Sequence, residues 1–264
     1  MSIGVFQLVK NEAAWVGPWL KRILPYVDEV QIFDGNSTDD TPRIYSMFQA
    51  QYKDKLHVEF NRDPKDLKDD YVRHWNECMR RLKTDWAWFL HPDMLVVNPE
   101  QIAKVKDMPG VAMRVGMRSI AGEPDGAWFE IKGRASAWKT IYRLRNPHLG
   151  AHYFGHYGAQ NEDVYFSAIT GDEHKHWSEN FARYPYDVID SGIEVLHFSD
   201  VRTYERRLDR MIKALMAQGY SGTEAHAIAP THPRVTLKDG GGFEFVPFDA
   251  EPYKKEMEEY LCHA

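Results

Sequence analysis

The first third of the chain alternates between short apolar runs and stretches with helical periodicity. Residues 5–9 form one apolar run, and apolar side chains then recur at helical spacing from Trp15 to Leu24. Residues 30–33 form a second run, and Thr41 with Pro42 starts a second helical stretch, with proline at a first-turn position. Alternation of this kind predicts a parallel sheet with helices on its faces.

Each of these two strands ends in a polar turn that carries a carboxylate. Asn11 and Glu12 follow the first strand, and Asp34 begins the polar segment 34–41 after the second. Ligands on open α/β sheets bind outside the carboxyl ends of the strands. We therefore expect these acids to hold a sugar or a nucleotide.

The same pattern continues to about residue 97. A third strand is predicted at 56–60, a helix from about 69 to 82, and a very apolar fourth strand at 86–90. His91, Pro92 and Asp93 interrupt the apolar sequence before it resumes at 94–97. An acid in a break between two apolar runs indicates a ligand site.

From Gly110 onward the segments become shorter and typical of a mixed or antiparallel extension. Residues 163–169 fit a short helix, 194–198 a strand, and about 200–218 a helix. Residues 219–249 include Pro230, Pro233 and a glycine triplet, and we interpret them as an irregular segment that is either a mobile lid or a surface wrap. The strands of the extension are expected at 111–115, 128–131 and 137–144.

Composition narrows the class of protein. A net charge of −6 and a pI near 6.1 argue against a protein whose main task is to coat nucleic acid. Two cysteines give neither a disulfide framework nor a zinc cluster. The start of the chain lacks the features of a signal peptide, so we expect a cytoplasmic protein. Its apolar runs are far shorter than the roughly 20 residues of a membrane helix, so any membrane contact would be peripheral.

Four motifs carry a resemblance to a known family. They are Val-Lys-Asn-Glu at 9–12, the segment 27–41 with its acids, Asp-Trp at 85–86 with His-Pro-Asp at 91–93, and Asn-Glu-Asp at 161–163. With these residues the chain resembles the family 2 glycosyltransferases, which are inverting enzymes with the GT-A fold, and within them the branch with a Lys-Asn-Glu start. In the third motif His91 stands where the family usually has the first acid of Asp-x-Asp.

The resemblance implies a Rossmann-like α/β fold and a division of the chain. The sheet would be mixed but mainly parallel, flanked by helices, with a helical or irregular C-terminal extension. A GT-A domain would span 1–218, with a donor half at 1–97 and an acceptor half at 110–218. Residues 219–264 would form the C-terminal extension or lid.

The family's donor residues map onto several positions of this chain. Asp34 is similar to the acid that binds the nucleoside, although its setting is also good turn chemistry. Asn11 and Glu12 would contact the donor, or would cap the following helix. Arg73 and Asn76 fall where the family often has a side chain that faces the donor, although a solvent-facing arginine is equally compatible.

The resemblance also implies a divalent metal, Mn²⁺ or Mg²⁺, that bridges the donor diphosphate. Asp93 would be a ligand, unless it only forms a Pro-Asp turn. His197 resembles a histidine that completes the metal site in related enzymes, or is a strand-end histidine with a structural partner. His91 would be a second ligand, contact the donor, or fill the space of the missing acid, and an imidazole suits manganese better than magnesium.

Asp163 is the candidate general base, since a carboxylate near the acceptor hydroxyl can take its proton as the sugar is transferred with inversion. Glu162 would hold the acceptor or share this role. The alternative for both is an acidic pair at a helix N-terminus. A basic series between 202 and 213 either binds a phosphate-bearing substrate or forms a solvated helix face. Its members are Arg202, Arg206, Arg207, Arg210 and Lys213.

The sequence thus predicts a metal-assisted inverting glycosyltransferase with a nucleotide-sugar donor, for which we expect a UDP-sugar. The acceptor is left open among a glycan, a lipid-linked molecule, a protein and a modified nucleic acid. One alternative is a glycosyltransferase that acts on modified DNA bases, against which the acidic net charge counts. The other is a non-catalytic sugar-nucleotide-binding protein, which His91 favours.

Overall fold

A computed structural model describes most of the chain. It covers residues 1–61, 74, 77–78, 81–108, 112–123, 127–132, 139–143, 165–166, 173–174, 188–217, 219–240 and 243–261. The strands are β1 Ile3–Val9, β2 Glu29–Asp34, β3 Leu56–Phe60, β4 Trp86–Phe89, β5 Met94–Val96, β6 Ala112–Gly122, β7 Trp128–Lys132, β8 Lys139–Arg143, β9 Tyr165–Phe166, β10 Glu173–His174, β11 Val188–Val201 and β12 Glu244–Pro247. The helices are α1 Ala13–Ile23, α2 Thr41–Tyr52, α3 Gln101–Val105, α4 Tyr204–Ala217, α5 Gly222–Ile228, α6 Pro233–Thr236 and α7 Lys254–Leu261.

The first half of the chain forms a parallel sheet in the order β4-β1-β2-β3. Val5 pairs with Val30, and Ile3 pairs with Trp86, so all four strands run in the same direction. This confirms the predicted order of strands up to β4 and the two helices predicted between β1 and β3. Most of the helix predicted from about 69 to 82 lies outside the described residues. Because the strands are parallel, the turns that follow β1, β2 and β4 meet at one edge of the sheet.

A continuous apolar core holds this sheet against its helices. Strand β1 is buried along almost its whole length, as expected for a strand covered on both faces. Helix α1 buries one apolar stripe on the sheet, and Trp19 on that stripe is fully enclosed. Trp86 and Trp88 of β4 are equally buried. The core therefore fixes the strand ends on which the polar turns are built.

The second half adds antiparallel and mixed pairing, as the sequence predicts. Strands β7 and β8 both pair antiparallel with β6, and β12 pairs antiparallel with β7. Strand β11 runs parallel to β6 and antiparallel to β5. The α/β fold class, with a mixed and mainly parallel core sheet flanked by helices, is confirmed.

Two local predictions were wrong, and one predicted helix begins later than expected. Residues 163–169 are not a short helix in the part that the structure describes, because Tyr165–Phe166 form a strand that pairs with Glu173–His174. The helix expected from residue 200 begins at Tyr204, since β11 extends to Val201. Residues 219–249 are not irregular, because they contain α5, α6 and β12.

Short-range signals explain the order in this C-terminal region. Ser221 and Glu224 form a reciprocal capping box at the start of α5. The β12 strand completes its hydrogen bonds by pairing with β7 rather than by forming a hairpin of its own. Residues 219–261 therefore extend the existing sheet and core.

Polar contacts attach the C-terminal region to the sheet. Arg234 donates to Asp200 at the end of β11, with Nε at 2.9 Å from Oδ2. Arg118 of β6 donates to the hydroxyl of Tyr253 at 3.0 Å. Met257 of α7 belongs to the main core. These contacts favour a fixed extension over a lid, while the domain boundary at 218 stays a prediction.

None of the helices in the described ranges combines the length and apolar character that a membrane crossing requires.

Candidate active site

The carboxyl ends of β1, β2 and β4 bring the predicted donor residues to one edge of the sheet. Asn11 and Glu12 follow β1, and Asp34 is the last residue of β2. His91 and Asp93 lie in the turn between β4 and β5. The strand order explains this assembly, since β1 lies between β2 and β4.

Backbone pairing between β5 and β11 places His197 beside Asp93. Met94 stands opposite His197 in this antiparallel pair, and the N–H of Phe198 donates to the carbonyl of Asp93 at 2.9 Å. Nε2 of His197 consequently lies 3.5 Å from Oδ1 of Asp93. Trp15 stacks on Phe198 at 5.9 Å, which packs the start of α1 against the same point.

Asp93 is surrounded by positively charged or chargeable groups. Its side chain is 13 % exposed, and Nη2 of Arg202 lies 4.0 Å from Oδ2. Burial alone would raise the pKa of Asp93, but His197, followed by His91 and Arg210, outweighs that effect and holds the pKa well below its usual range. Asp93 is therefore a carboxylate at any physiological pH.

His91 lies near the Asp93 and His197 pair. Its ring packs edge-on against Phe89 at 4.6 Å, and its centroid lies 6.3 Å from that of His197. In the described ranges no group of three or more His, Cys, Asp or Glu side chains is arranged to hold a metal ion. His91 is thus not placed as a third metal ligand.

The Asp93 and His197 pair nevertheless fits a divalent ion shared with a diphosphate. Two ligands that each lie about 2.1 Å from one ion stand roughly 3.0–3.6 Å apart. The separation of 3.5 Å between Oδ1 and Nε2 meets this condition. Magnesium-type sites commonly use one or two protein ligands and complete their coordination with substrate phosphates.

Asp34 is fully buried, and its carboxylate organises the turn after β2. Ser37 donates its backbone N–H to Oδ1 at 2.7 Å and its hydroxyl to Oδ2 at 2.8 Å. Burial, followed by the charge of Asp34, raises the pKa of the Tyr45 phenol above its usual range. The turn role of Asp34 is therefore present in this structure, and a nucleoside contact would add to it.

Asn11 connects the turns that follow β1 and β2. It has a left-handed backbone with φ of 55°, and its Oδ1 accepts the N–H of Thr38 at 2.7 Å. Its own N–H donates to Oγ of Ser37 at 2.9 Å. Because Ser37 also holds Asp34, Asn11 fixes the two turns as one unit.

Asp39, which the sequence did not single out, caps helix α1. Its Oδ2 accepts the N–H of Ala13 at 3.0 Å, and its Oδ1 accepts the N–H of Thr41 at 3.0 Å. Glu12 occupies the N-cap position of α1, but its side chain makes no capping hydrogen bond. The capping alternative for the Glu12 side chain is therefore wrong.

The Glu12 carboxyl instead belongs to the charge cluster around Asp93. Burial, followed by the negative charge of Asp93, raises the pKa of Glu12 to about 7. The positive charges of Arg202 and Arg210 act in the opposite direction. A carboxyl with this pKa exchanges its proton near neutral pH.

The basic series at 202–213 divides into distinct roles. Arg202 and Arg210 act on the Asp93 carboxylate, whereas Arg207 is buried and bonds to backbone carbonyls. Arg206 is exposed, and Lys213 forms an exposed pair with Asp209 at 2.6 Å. The series is therefore neither a uniform solvated face nor a uniform anion site.

Some motif acids support the opposite end of the sheet. Asp28 accepts the N–H of Ile3 at 2.8 Å and pairs with Lys106 at 2.7 Å. Asp85 accepts the N–H of Ser2 at 2.8 Å. These acids precede their strands, so they lie away from the carboxyl-end site.

Four predicted site residues lie outside the described residues. They are Glu162, Asp163, Arg73 and Asn76. Their roles remain predictions from the resemblance.

Comparison with known proteins addresses the fold. No family model matches the chain, and no curated protein sequence matches it. The structure of the mannosyltransferase PcManGT from Pyrobaculum calidifontis, in complex with GDP-Man and Mn²⁺, is similar to this chain with a TM-score of 0.50. The match covers 99% of this chain and 85% of that one at 16% sequence identity. The chain has the GT-A glycosyltransferase fold.

Two further structures are similar to this GT-A fold at lower scores. S. aureus TarS 1–349 matches with a TM-score of 0.48 and 13% identity over 98% of this chain and 80% of that one. Glucosyl-3-phosphoglycerate synthase from Mycobacterium tuberculosis, in complex with Mn²⁺, UDP and glucosyl-3-phosphoglycerate, matches with a TM-score of 0.43 and 14% identity. This match covers 83% of this chain and 81% of that one.

Proposed function

We propose that this protein is an inverting glycosyltransferase that moves a sugar from a nucleoside-diphosphate sugar, a UDP-sugar, to an acceptor hydroxyl. The observation that carries the proposal is the Asp93 and His197 pair at the carboxyl edge of a GT-A fold. Support comes from the mannosyltransferase of the same fold, which is described in complex with GDP-Man and Mn²⁺.

A divalent ion, Mn²⁺ or Mg²⁺, would be held by Asp93 and His197. When bound, it offsets negative charge that develops on the leaving diphosphate. The low pKa of Asp93 suits this role, because a ligand carboxylate must be ionised. His91 lies next to the pair and would contact the donor rather than the ion.

The nucleoside would lie over the turns after β1 and β2. Asn11 and Asp34 shape this surface through their shared contacts with Ser37. Asn11 is exposed, so its side chain is open to a ligand, whereas the buried Asp34 would use its remaining acceptor capacity. Glu12, Arg73 and Asn76 would complete the donor contacts.

Transfer breaks the bond between the anomeric carbon and the diphosphate oxygen, which keeps the electron pair. The acceptor oxygen bonds to the opposite face of that carbon and loses its proton to a base. We assign the base to Asp163, with Glu162 holding the acceptor, on the resemblance alone. The acceptor itself would be a glycan, a lipid-linked molecule, a protein or a modified nucleic acid.

Thermal shift with a panel of nucleotides tests this function. A ligand that binds only the folded state stabilises it, by about 2.7 kcal/mol at 100 times its Kd. The melting temperature rises as a result. We expect UDP and UDP-sugars to raise the melting temperature more in Mn²⁺ than in chelator. In a separate assay without acceptor, one of these donors should slowly release UDP. GDP-mannose serves as the rival donor. Absence of any nucleoside-diphosphate shift would overturn the proposal.

A non-catalytic sugar-nucleotide-binding protein is the second candidate. It is favoured by His91, which stands where the family usually has the first acid of Asp-x-Asp. Donor binding without release of nucleoside diphosphate, with or without acceptor, would support this candidate.

A further inference from the structure

Arg202 occupies a defined place next to the candidate metal pair. Its Nη2 lies 4.0 Å from Oδ2 of Asp93, whereas His197 faces Oδ1. The two oxygens of one carboxylate thus face two different side chains, an imidazole and a guanidinium. A metal shared by Asp93 and His197 would leave Arg202 on the other side of the same carboxylate.

A bulge in β11 makes this geometry possible. His197 pairs with Ser119 and Asp200 pairs with Ala121, so β11 uses three steps where β6 uses two. Side chains alternate along a strand, and residues five positions apart normally face opposite sides. One extra residue removes this difference, so His197 and Arg202 can both address Asp93.

The backbone of Arg202 is held firmly. Its N–H donates to the carbonyl of Gly122 at 3.1 Å, and Arg207 donates to the same carbonyl at 3.0 Å. Arg207 also donates to the carbonyl of Arg202. Because Arg207 is only 5% exposed, this network forms a rigid base from which the Arg202 side chain extends.

Arg210 of α4 is close enough to Arg202 and Asp93 for their charges to act on it. Asp200, the buried acid at the end of β11, is bonded by Arg234 at 2.9 Å. Arg210 is exposed to solvent, and its charge and that of Arg202 both act on the Glu12 carboxyl. Two guanidinium groups therefore lie at the edge where the donor would bind.

We propose that Arg202, with Arg210 beside it, binds the diphosphate of the nucleotide-sugar donor on the side of Asp93 away from His197. The proposal rests on the proposed function, since it names the group of the donor that these arginines contact. A guanidinium makes paired hydrogen bonds to phosphate oxygens, which a metal ion does not supply. Arg202 would hold the diphosphate before transfer and stabilise the oxygen that keeps the electron pair.

Calorimetric titration of the whole protein in Mn²⁺ with UDP, UMP and uridine tests this site. Arg202→Gln should weaken UDP binding at least about tenfold, since a hydrogen bond to a charged group contributes roughly 1.5–3 kcal/mol. The affinity of this variant for UMP should fall less, and its affinity for uridine should not change. The UDP affinity of Arg202→Lys should lie between those of the wild type and Arg202→Gln, because lysine keeps the charge without the planar fork.

Arg206→Gln is the matched control, because Arg206 is an exposed arginine four residues further along the chain. It should bind all three ligands as the wild type does. Arg210→Gln, a change at an exposed side chain, provides a second variant if Arg202→Gln fails to fold. It should also weaken UDP more than uridine.

Two results would overturn the inference while the proposed function stands. One is equal UDP affinity in Arg202→Gln, Arg210→Gln and Arg206→Gln, and the other is an equal loss for UDP and uridine, which would mean general damage to the site. Failure of the wild type to bind any nucleoside diphosphate would instead overturn the proposed function, and the inference with it.

Discussion

Oδ1 of Asp93 lies 3.5 Å from Nε2 of His197 because the backbone holds their two segments together. The N–H of Phe198 donates to the carbonyl of Asp93, and β5 pairs with β11 immediately beyond it. The pair is thus a product of sheet register. Loss of one side chain should leave the fold intact, which makes both residues suitable for mutation.

Asp93→Asn should lower transferase activity by at least about 100-fold, because a bound metal contributes several kcal/mol of charge stabilisation. Asparagine preserves shape but removes the ionised oxygen. The measurement is the rate of nucleoside-diphosphate release in excess Mn²⁺. Asp209→Asn is the control, since Asp209 forms an exposed pair on α4. Equal rates for the two variants would rule out the metal role of Asp93.

Asp39→Ala should destabilise the protein by about 1 kcal/mol, the usual effect of removing a helix cap. Burial would raise the pKa of Asp39, but hydrogen bonds from Thr41 and the Ala13 N–H outweigh it and lower the pKa. The stabilisation of the folded state by the Asp39 cap is therefore complete above the unfolded-state pKa of about 3.9, and it is lost as pH falls through the lower folded-state pKa. Urea unfolding at several pH values measures it.

Asp40→Ala provides the comparison for Asp39, because the adjacent Asp40 side chain is exposed and makes no capping hydrogen bond. Its free energy of unfolding should change by less than about 0.5 kcal/mol. If Asp40→Ala destabilises as much as Asp39→Ala, the cap is assigned to the wrong acid.

Glu12 should make the protein less stable as pH rises from about 4.5 to about 7. In this window the folded state keeps the proton of Glu12 while the unfolded state has lost it, so stability falls. Glu12→Gln should remove this slope and raise the free energy of unfolding at pH 8 by up to roughly 3 kcal/mol. Parallel pH profiles for the two proteins would contradict the assignment.

Gly122→Ala should destabilise the protein by about 1–3 kcal/mol, the usual range for overpacking. A Cβ at this position would lie 2.6 Å from the carbonyl oxygen of Ala127 and 2.5 Å from Cδ1 of Trp128. Gly222→Ala is the control, since a Cβ there has no neighbour within 4 Å among the described residues. At the start of α5 it should be neutral or stabilising by about 0.4–1 kcal/mol.

The sequence was sufficient for the strand order of the parallel half of the fold and for placing three candidate site residues at one edge of its sheet. Apolar runs and helical periodicity predicted β1 to β4, and parallel strands must bring Glu12, Asp34 and Asp93 to one edge. The pairing of His197 with Asp93 was anticipated only through the family resemblance. Nothing local in the sequence fixes the register between β5 and β11.

Other features depend on tertiary contacts that a sequence does not display. The sequence analysis considered Asn11 and Glu12 as caps of the following helix, and only the fold shows that Asp39 caps α1. The bulge that follows His197 has no glycine or proline to mark it. Strand β12 was missed because its partner β7 is distant in the chain.

Pulsed electron paramagnetic resonance of Mn²⁺ with the protein and UDP tests the central claim most directly. The account predicts that one ion shows coupling both to phosphorus of the diphosphate and to imidazole nitrogen, and that His197→Gln loses the nitrogen coupling. Phosphorus coupling without nitrogen in the wild type, as for Mn²⁺ bound to UDP in solution, would contradict a metal site at Asp93 and His197.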